Sequence, residues 1–154
     1  MSDWLKETEP MVYRGRIKVP YTWWVGEVGT DFFNALREER RILGRHCPQC
    51  DLVFIPPRQN CGRCFSTDLS WRPVGPGGTL VTYTIPAEKQ EQHRLDTPFA
   101  FGIVKLDGAD TGLTHLISGY REGQLKAGLR VEAIFAEKPA GDIMDIAYFQ
   151  PIAS

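Results

Sequence analysis

The sequence contains two Cys-x-x-Cys pairs with ten residues between them, and no other feature restricts the possible fold as strongly. The first pair is Cys47 and Cys50, and the second is Cys61 and Cys64. Each pair places two sulfurs on one tight turn, and two such turns supply the four thiolates that zinc binds tetrahedrally at about 2.3 Å. A site closed by four protein ligands is structural, because no coordination position remains for water or substrate. The spacing therefore predicts a ribbon built around one structural metal ion.

Several alternatives to zinc stay open from the sequence. The cysteines could form two disulfides or a redox pair, and iron in a rubredoxin-like site uses the same four thiolates. His46 directly precedes Cys47 and could replace it as a ligand. The N-terminus has neither the basic start nor the apolar stretch of a secretory signal. We therefore expect a cytoplasmic protein, and a reducing compartment favours metal ligands over disulfides.

The metal site limits the chemistry that the chain can perform. All four cysteines are expected to be ligands, so none remains as a nucleophile. The sequence has no GxGxxG, GxxxxGK[ST] or HExxH motif, so nothing in it supports a cofactor-binding site or a phosphate-binding loop. His93 and His115 are far apart in the sequence, and an isolated histidine in a β-domain is usually structural. We predict no catalytic residue in this chain.

The rest of the sequence predicts a mainly β protein in three parts. Residues 1–43 form an extended aromatic arm and a helix near 30–42, with Thr30 as its cap and Gly44 as its end. Residues 44–74 form the rubredoxin-like zinc ribbon. Residues 75–154 form a five-stranded OB-type barrel, because their apolar segments are short and rich in β-branched and aromatic residues.

The barrel is expected to consist of five strands separated by turns. The five segments are 80–85, 99–106, 113–118, 129–136 and 143–149. A cluster of Pro and Gly at 73–80 is expected to separate the ribbon from the barrel, and a short helical turn is expected within 120–128.

The distribution of charge bears on the class of partner. Residues 41–72 carry five basic and two acidic side chains, whereas residues 73–154 carry seven basic and ten acidic ones. A ribbon beside an OB barrel suggests a protein that binds single-stranded nucleic acid. A surface that attracts phosphates should be basic, however, and the predicted barrel is acidic. We therefore expect no nucleic-acid partner, and no membrane span either, because no apolar run approaches the roughly 20 residues that a bilayer requires.

Two arginines and the aromatic arm are the candidate contact sites. Four thiolates around a doubly charged ion leave a net charge of about −2. Arg58 and Arg63 therefore either balance the metal site or contact an anionic ligand or an acidic partner. Trp23 and Trp24 belong to an arm without helical periodicity, so their rings are expected to pack either on the chain's own domain or on a partner.

In the order of these features, the chain resembles a family of zinc-ribbon and OB-fold proteins associated with acyl-CoA metabolism. The resembling pieces are the helix near 30–42, the ribbon with its Ile55-Pro-Pro-Arg58 segment, the barrel stretches 97–107 and 125–132, and the closing segment 147–151. The resemblance implies a fold of ribbon and barrel, and an accessory subunit that works in a hetero-oligomer.

The same resemblance implies a reaction and a division of labour. The expected partner is a thiolase-like enzyme that cleaves or forms a 3-oxoacyl-CoA with free CoA, and the alternatives are an enoyl-CoA hydratase or an aldolase. The partner would supply the nucleophile. The present chain would shape or cover the CoA and substrate channel, with Arg58 and Arg63 as candidate contacts to CoA or to the partner.

Overall fold

The computed structural model describes residues 9, 11–13, 15, 19–87, 95 and 98–152. Trp4 and His93 lie outside these residues. The helix α1 spans Gly26–Glu39, and a 3-10 helix spans Ile143–Asp145. The strands are β1 Ile42–Cys47, β2 Leu52–Phe54, β3 Ser70–Val74, β4 Gly77–Thr84, β5 Ala100–Leu106, β6 Leu113–Ile117, β7 Arg130–Phe135 and β8 Ile146–Pro151. The predicted mainly β architecture is confirmed.

Helix α1 differs from its predicted position at both ends. It begins at Gly26, and the Thr30 hydroxyl donates a hydrogen bond to the Gly26 carbonyl at 2.7 Å instead of capping the helix. It ends at Glu39 because Arg40 adopts the left-handed conformation, with φ of 51°. Gly44 lies inside β1, where a Cβ would meet Val53 Cγ1 at 2.8 Å. The glycine therefore allows β2 to approach closely, and it does not end the helix.

The ribbon is a three-stranded antiparallel sheet in the order β2-β1-β3. The cysteine spacing predicts a ribbon here, but the sequence did not predict the strands β1 and β3. Strand β3 pairs with β1 along its whole length, from His46 opposite Ser70 to Ile42 opposite Val74. The expected Pro/Gly break at 73–80 is thus mostly strand, and only Gly75 and Pro76 lie between β3 and β4.

The barrel is closed by five strands in the order β4-β5-β6-β8-β7, with β7 returning to β4. Its pairs are antiparallel except β6 with β8, which is parallel. Each predicted segment overlaps one strand, although the last divides into the 3-10 helix and β8. The predicted helical turn within 120–128 is wrong: this stretch forms non-helical turns, with Gly123 and Gly128 at positive φ.

Ribbon and barrel share one hydrophobic core. It joins Phe32 and Leu36 of α1 to the base of the ribbon and to the inward face of the barrel. The turn between β5 and β6 also pairs with β2: Asp110 Oδ2 accepts a hydrogen bond from the Val53 amide at 2.8 Å, and the Asp110 amide donates to the Val53 carbonyl at 2.9 Å. The ribbon is therefore held firmly against the barrel. No helix in the described ranges has the length and apolarity needed to cross a bilayer.

Candidate metal centre and contact surface

The four cysteine sulfurs converge at one point on the ribbon. Cys47 is the last residue of β1 and Cys50 lies in the turn that follows, whereas Cys61 and Cys64 lie in the loop between β2 and β3. All four sulfurs lie within 4.8 Å of one another, and those of Cys47 and Cys64 are 3.6 Å apart. Four sulfurs at about 2.3 Å from a tetrahedral zinc ion are about 3.8 Å apart, so the spacing fits such an ion. The four cysteines form the predicted zinc-ribbon site.

The thiols of the cluster differ in their pKa values. Burial raises the pKa of Cys47, and it raises the pKa of Cys50 to about 12. The backbone amide of Cys64 lowers the pKa of Cys61 to about 6. Without a cation, close sulfurs cannot all ionise, because each thiolate repels the next. A divalent ion removes that repulsion, and its binding must therefore release protons.

The metal centre has a small apolar cluster of its own. Phe54 and Leu69 pack against the buried Cys47 and Cys61, apart from the core that the ribbon shares with the barrel. The group of candidate ligands consists of the four cysteines and does not include His46. The Nε2 atom of His46 lies instead 2.9 Å from the carboxylate of Asp51. Because this cluster is small, a bound metal ion would supply much of the stability of the outer ribbon.

Arg58 and Arg63 lie on the same loop as the second cysteine pair, and both are exposed. The Arg58 guanidinium stacks over the ring of Phe54 at 5.5 Å from its centroid. Within the described residues, neither arginine forms an ion pair with a carboxylate. Their charges are therefore available to an external anion or an acidic surface, which leaves open both partners that the sequence suggested.

The aromatic arm is not packed on the body of the protein where it enters α1. Trp23 and Trp24 are 67% and 74% exposed. Trp24 lines a groove of about 490 Å³ between the first turn of α1 and the ribbon residues Pro57 and Gln59. Trp23 lines a second groove of about 470 Å³, beside Phe33 of α1 and Ile143. Rings this exposed leave a large apolar surface uncovered.

Sequence reasoning identified the arm and the ribbon arginines but not the two grooves that Trp23 and Trp24 line. Pro57 and Gln59 are about thirty residues from Trp24, and Ile143 is more than one hundred residues from Phe33. No local pattern joins residues so distant, and only the tertiary fold brings them together.

The comparisons with known proteins agree with this geometry. A family model described as ChsH2, rubredoxin-like zinc ribbon domain, matches residues 35–70. A second, described as ChsH2, C-terminal OB-fold domain, matches residues 71–136. The two matches are contiguous, so together they cover most of the chain.

Individual proteins match over a similar extent. A DUF35 domain-containing scaffold protein of Methanocaldococcus jannaschii is 25% identical over 122 residues, which are 76% of this chain and 86% of the relative. A chain of the solved Ltp2-ChsH2(DUF35) aldolase has a TM-score of 0.63 at 21% identity, covering 82% of this chain and 96% of that one. A DUF35 protein of unknown function from Sulfolobus solfataricus has a TM-score of 0.57 at 25% identity, covering 71% and 78%.

Proposed function

Because the chain belongs to the ChsH2 family of zinc-ribbon and OB-fold proteins, we propose that it is a non-catalytic accessory subunit of an enzyme that cleaves or forms a C–C bond in an acyl-CoA thioester. The observation that carries this proposal is the convergence of every cysteine of the chain on one metal centre. A C–C-cleaving enzyme that uses a cysteine nucleophile must then take that cysteine from another subunit. The complex is a hetero-oligomer in this proposal.

Two kinds of partner enzyme have support of different origin. The resemblance in sequence implies a thiolase-like partner. The related fold in the Ltp2-ChsH2(DUF35) aldolase supports an aldolase, and the Methanocaldococcus jannaschii relative is named as a scaffold protein. Both reactions break a C–C bond beside an acyl-CoA thioester, but only the thiolase consumes free CoA. A hydratase partner remains the third candidate from the sequence.

The contacts of the subunit are proposed at the ribbon loop and the arm. The guanidinium groups of Arg58 and Arg63, which form no ion pair with a carboxylate of the described residues, suit either the phosphates of CoA or a carboxylate of the partner, because the planar fork binds both in bidentate geometry. Trp23 and Trp24 would cover apolar surface of the enzyme subunit, where large aromatic side chains contribute most of the binding energy. In this proposal, the metal-fixed ribbon lies at the edge of the partner's substrate channel.

The proposal is tested by purifying the tagged chain from its own host. We expect an aldolase-like or thiolase-like enzyme to copurify in fixed stoichiometry. The two subunits are then expressed separately and assayed alone and mixed, with a 3-oxoacyl-CoA and with a 3-hydroxyacyl-CoA as substrates. The isolated chain should be inactive with both, and the mixture should be active with one. Full turnover by the isolated chain would exclude an accessory role.

The products distinguish the partner classes. A thiolase consumes one free CoA and yields two acyl-CoA products. An aldolase needs no free CoA and yields one acyl-CoA and one aldehyde or ketone. A hydratase gains or loses water without changing the carbon skeleton. A titration of the isolated chain with single-stranded DNA at low salt is the control for the nucleic-acid class, and tight binding with a steep salt dependence would favour that class instead.

A further inference from the structure

Phe65 combines an unfavourable backbone conformation with an exposed side chain. It directly follows Cys64 in the second cysteine turn, which we call the second knuckle and define as residues 61–65. Its φ is 60°, in the left-handed region that bulky residues rarely adopt. Its side chain is 76% exposed, more than any other large apolar residue described from residue 26 onward. Burial of the ring therefore stabilises the isolated protein little, and it does not offset the free-energy cost of the positive φ.

The first knuckle, residues 47–51, has a different residue at the corresponding position. Asp51 directly follows Cys50 and also has a positive φ, of 50°. Aspartate tolerates this conformation better than most residues, and its carboxylate lies 2.9 Å from Nε2 of His46. Phe65 has neither advantage. A strained residue without a local role is a candidate for a functional one.

The second knuckle fixes the backbone that carries Phe65. The Phe65 amide donates to the Cys61 carbonyl at 3.0 Å, and the Cys61 amide donates to the Ser66 carbonyl at 2.9 Å. These bonds close the loop around two metal ligands, so the backbone of Phe65 is fixed from both sides. A residue whose backbone is already fixed loses little backbone entropy when its side chain enters a pocket.

Two arginines share the loop with the ring. Between Phe54 and Thr67, Arg58 and Arg63 are the charged side chains apart from the cysteine ligands, and Asp68 follows Thr67. Arg58 reaches the second knuckle, since a Cβ on Gly62 would lie 3.0 Å from its Nη1. Arg58 is also flanked by Pro57 and Gln59, which line the groove beside Trp24. Arg58 thus links the second knuckle to the ribbon residues that line this groove.

We infer that Phe65 is an anchor that inserts into an apolar pocket of the enzyme subunit, with acidic residues of that subunit around the pocket facing Arg58 and Arg63. This inference rests on the proposed function and names the part of the ribbon that recognises the partner. An aromatic ring beside arginines is the composition of the residues that dominate protein–protein interfaces. A bilayer is the less suitable target, because stable attachment takes two independent anchoring signals and the knuckle offers a single ring.

The test compares the wild-type complex with substitutions at both knuckles. The probe is the enzyme subunit that copurifies with the chain, and the Kd is measured by titration calorimetry. Phe65→Gly and Phe65→Ala should each weaken the Kd at least about tenfold, as loss of an interface anchor does. Phe65→Gly should retain zinc and melt no lower than the wild type, because glycine relieves the positive φ. The matched control Asp51→Gly makes the same backbone change at the first knuckle and should leave the Kd within about twofold.

Each contrary result has a separate meaning. A normal complex with Phe65→Gly would overturn the inference while leaving the proposed function intact. Loss of zinc or a much lower melting temperature in Phe65→Gly would make the ring structural, which also overturns it. Binding of the wild type, but not of Phe65→Gly, to vesicles of phosphatidylcholine and phosphatidylglycerol would assign the ring to a membrane instead. If the wild-type chain forms no complex with any acyl-CoA enzyme, the proposed function fails and this inference fails with it.

Discussion

His115 is a titratable group enclosed by the barrel. Its residue surface is 5% exposed, its ring meets that of Phe149 at 5.7 Å between centroids, and Nε2 lies 3.1 Å from the carbonyl oxygen of Ile143. A carbonyl can only accept, so Nε2 carries the proton. Within the described residues, Nδ1 is buried without a hydrogen-bond partner. Burial lowers the pKa of His115 below its ordinary value of 6.5, so the ring is neutral in the folded protein at neutral pH.

This depressed pKa predicts how stability depends on pH. Below pH 6.5 the unfolded chain binds a proton at His115 that the folded protein excludes, so stability should fall as the pH decreases until the folded-state pKa is reached. One such group contributes a slope of up to about 1.4 kcal/mol per pH unit. Urea unfolding of the wild type and of His115→Gln between pH 7.5 and 5 would measure it. Gln keeps a donor for Ile143 but does not titrate, so equal slopes for the two proteins would contradict the prediction.

The turn between β5 and β6 connects the barrel to the ribbon through Thr111. Thr111 Oγ1 accepts a hydrogen bond from the Ile55 amide at 2.7 Å and donates to the Ile55 carbonyl at 2.8 Å. Ile55 is 1% exposed, so water cannot replace these bonds. One threonine thus satisfies both backbone groups of a ribbon residue from the side of the barrel.

Thr111→Val should therefore destabilise the protein by about 1–3 kcal/mol, because it leaves a buried amide and a buried carbonyl unpaired while it preserves the side-chain shape. The matched control is Thr114→Val, at an exposed position on β6. That control should change stability by no more than about 0.5 kcal/mol. Denaturant unfolding of the three proteins measures the difference, and hydrogen exchange at the Ile55 amide locates it. Equal stability of the two variants would show that the junction contributes nothing.

The parts of the molecule that sequence predicted are those encoded within a few residues. The cysteine spacing predicted the metal centre, and the short apolar segments predicted the barrel, because ligand spacing and strand patterns are local. The strand pairing of β1 with β3 was missed, since Pro73 opposite Leu43 reads as a breaker and not as part of an edge strand. Asp110 accepts a hydrogen bond from the Val53 amide, 57 residues away in the sequence, and no local sequence pattern predicts this contact. Long-range contacts of this kind set the position of the ribbon on the barrel.

The division of the apolar residues into two clusters determines how the whole molecule responds to loss of the metal. Cys47, Phe54, Cys61 and Leu69 form the small cluster at the metal centre. Ile42, Val53, Ile55 and Val74 hold the base of the ribbon in the large core with the barrel. Cys61→Ser removes one ligand with almost no change in volume. We expect this variant to lose zinc and to loosen the outer ribbon, while the ribbon base and the barrel stay folded.

Metal analysis and hydrogen exchange test this expectation together. The Cys61 amide, which donates to the Ser66 carbonyl in the wild type, should lose protection in Cys61→Ser, whereas the amides of β5 should keep theirs. Chelator treatment should reproduce the change in the wild type, and added zinc should reverse it there but not in the variant. Because ribbon and barrel share one core, loosening should stop near the ribbon base. Global unfolding of Cys61→Ser would mean that the metal stabilises the barrel as well, and wild-type protein without bound metal would refute the metal centre itself.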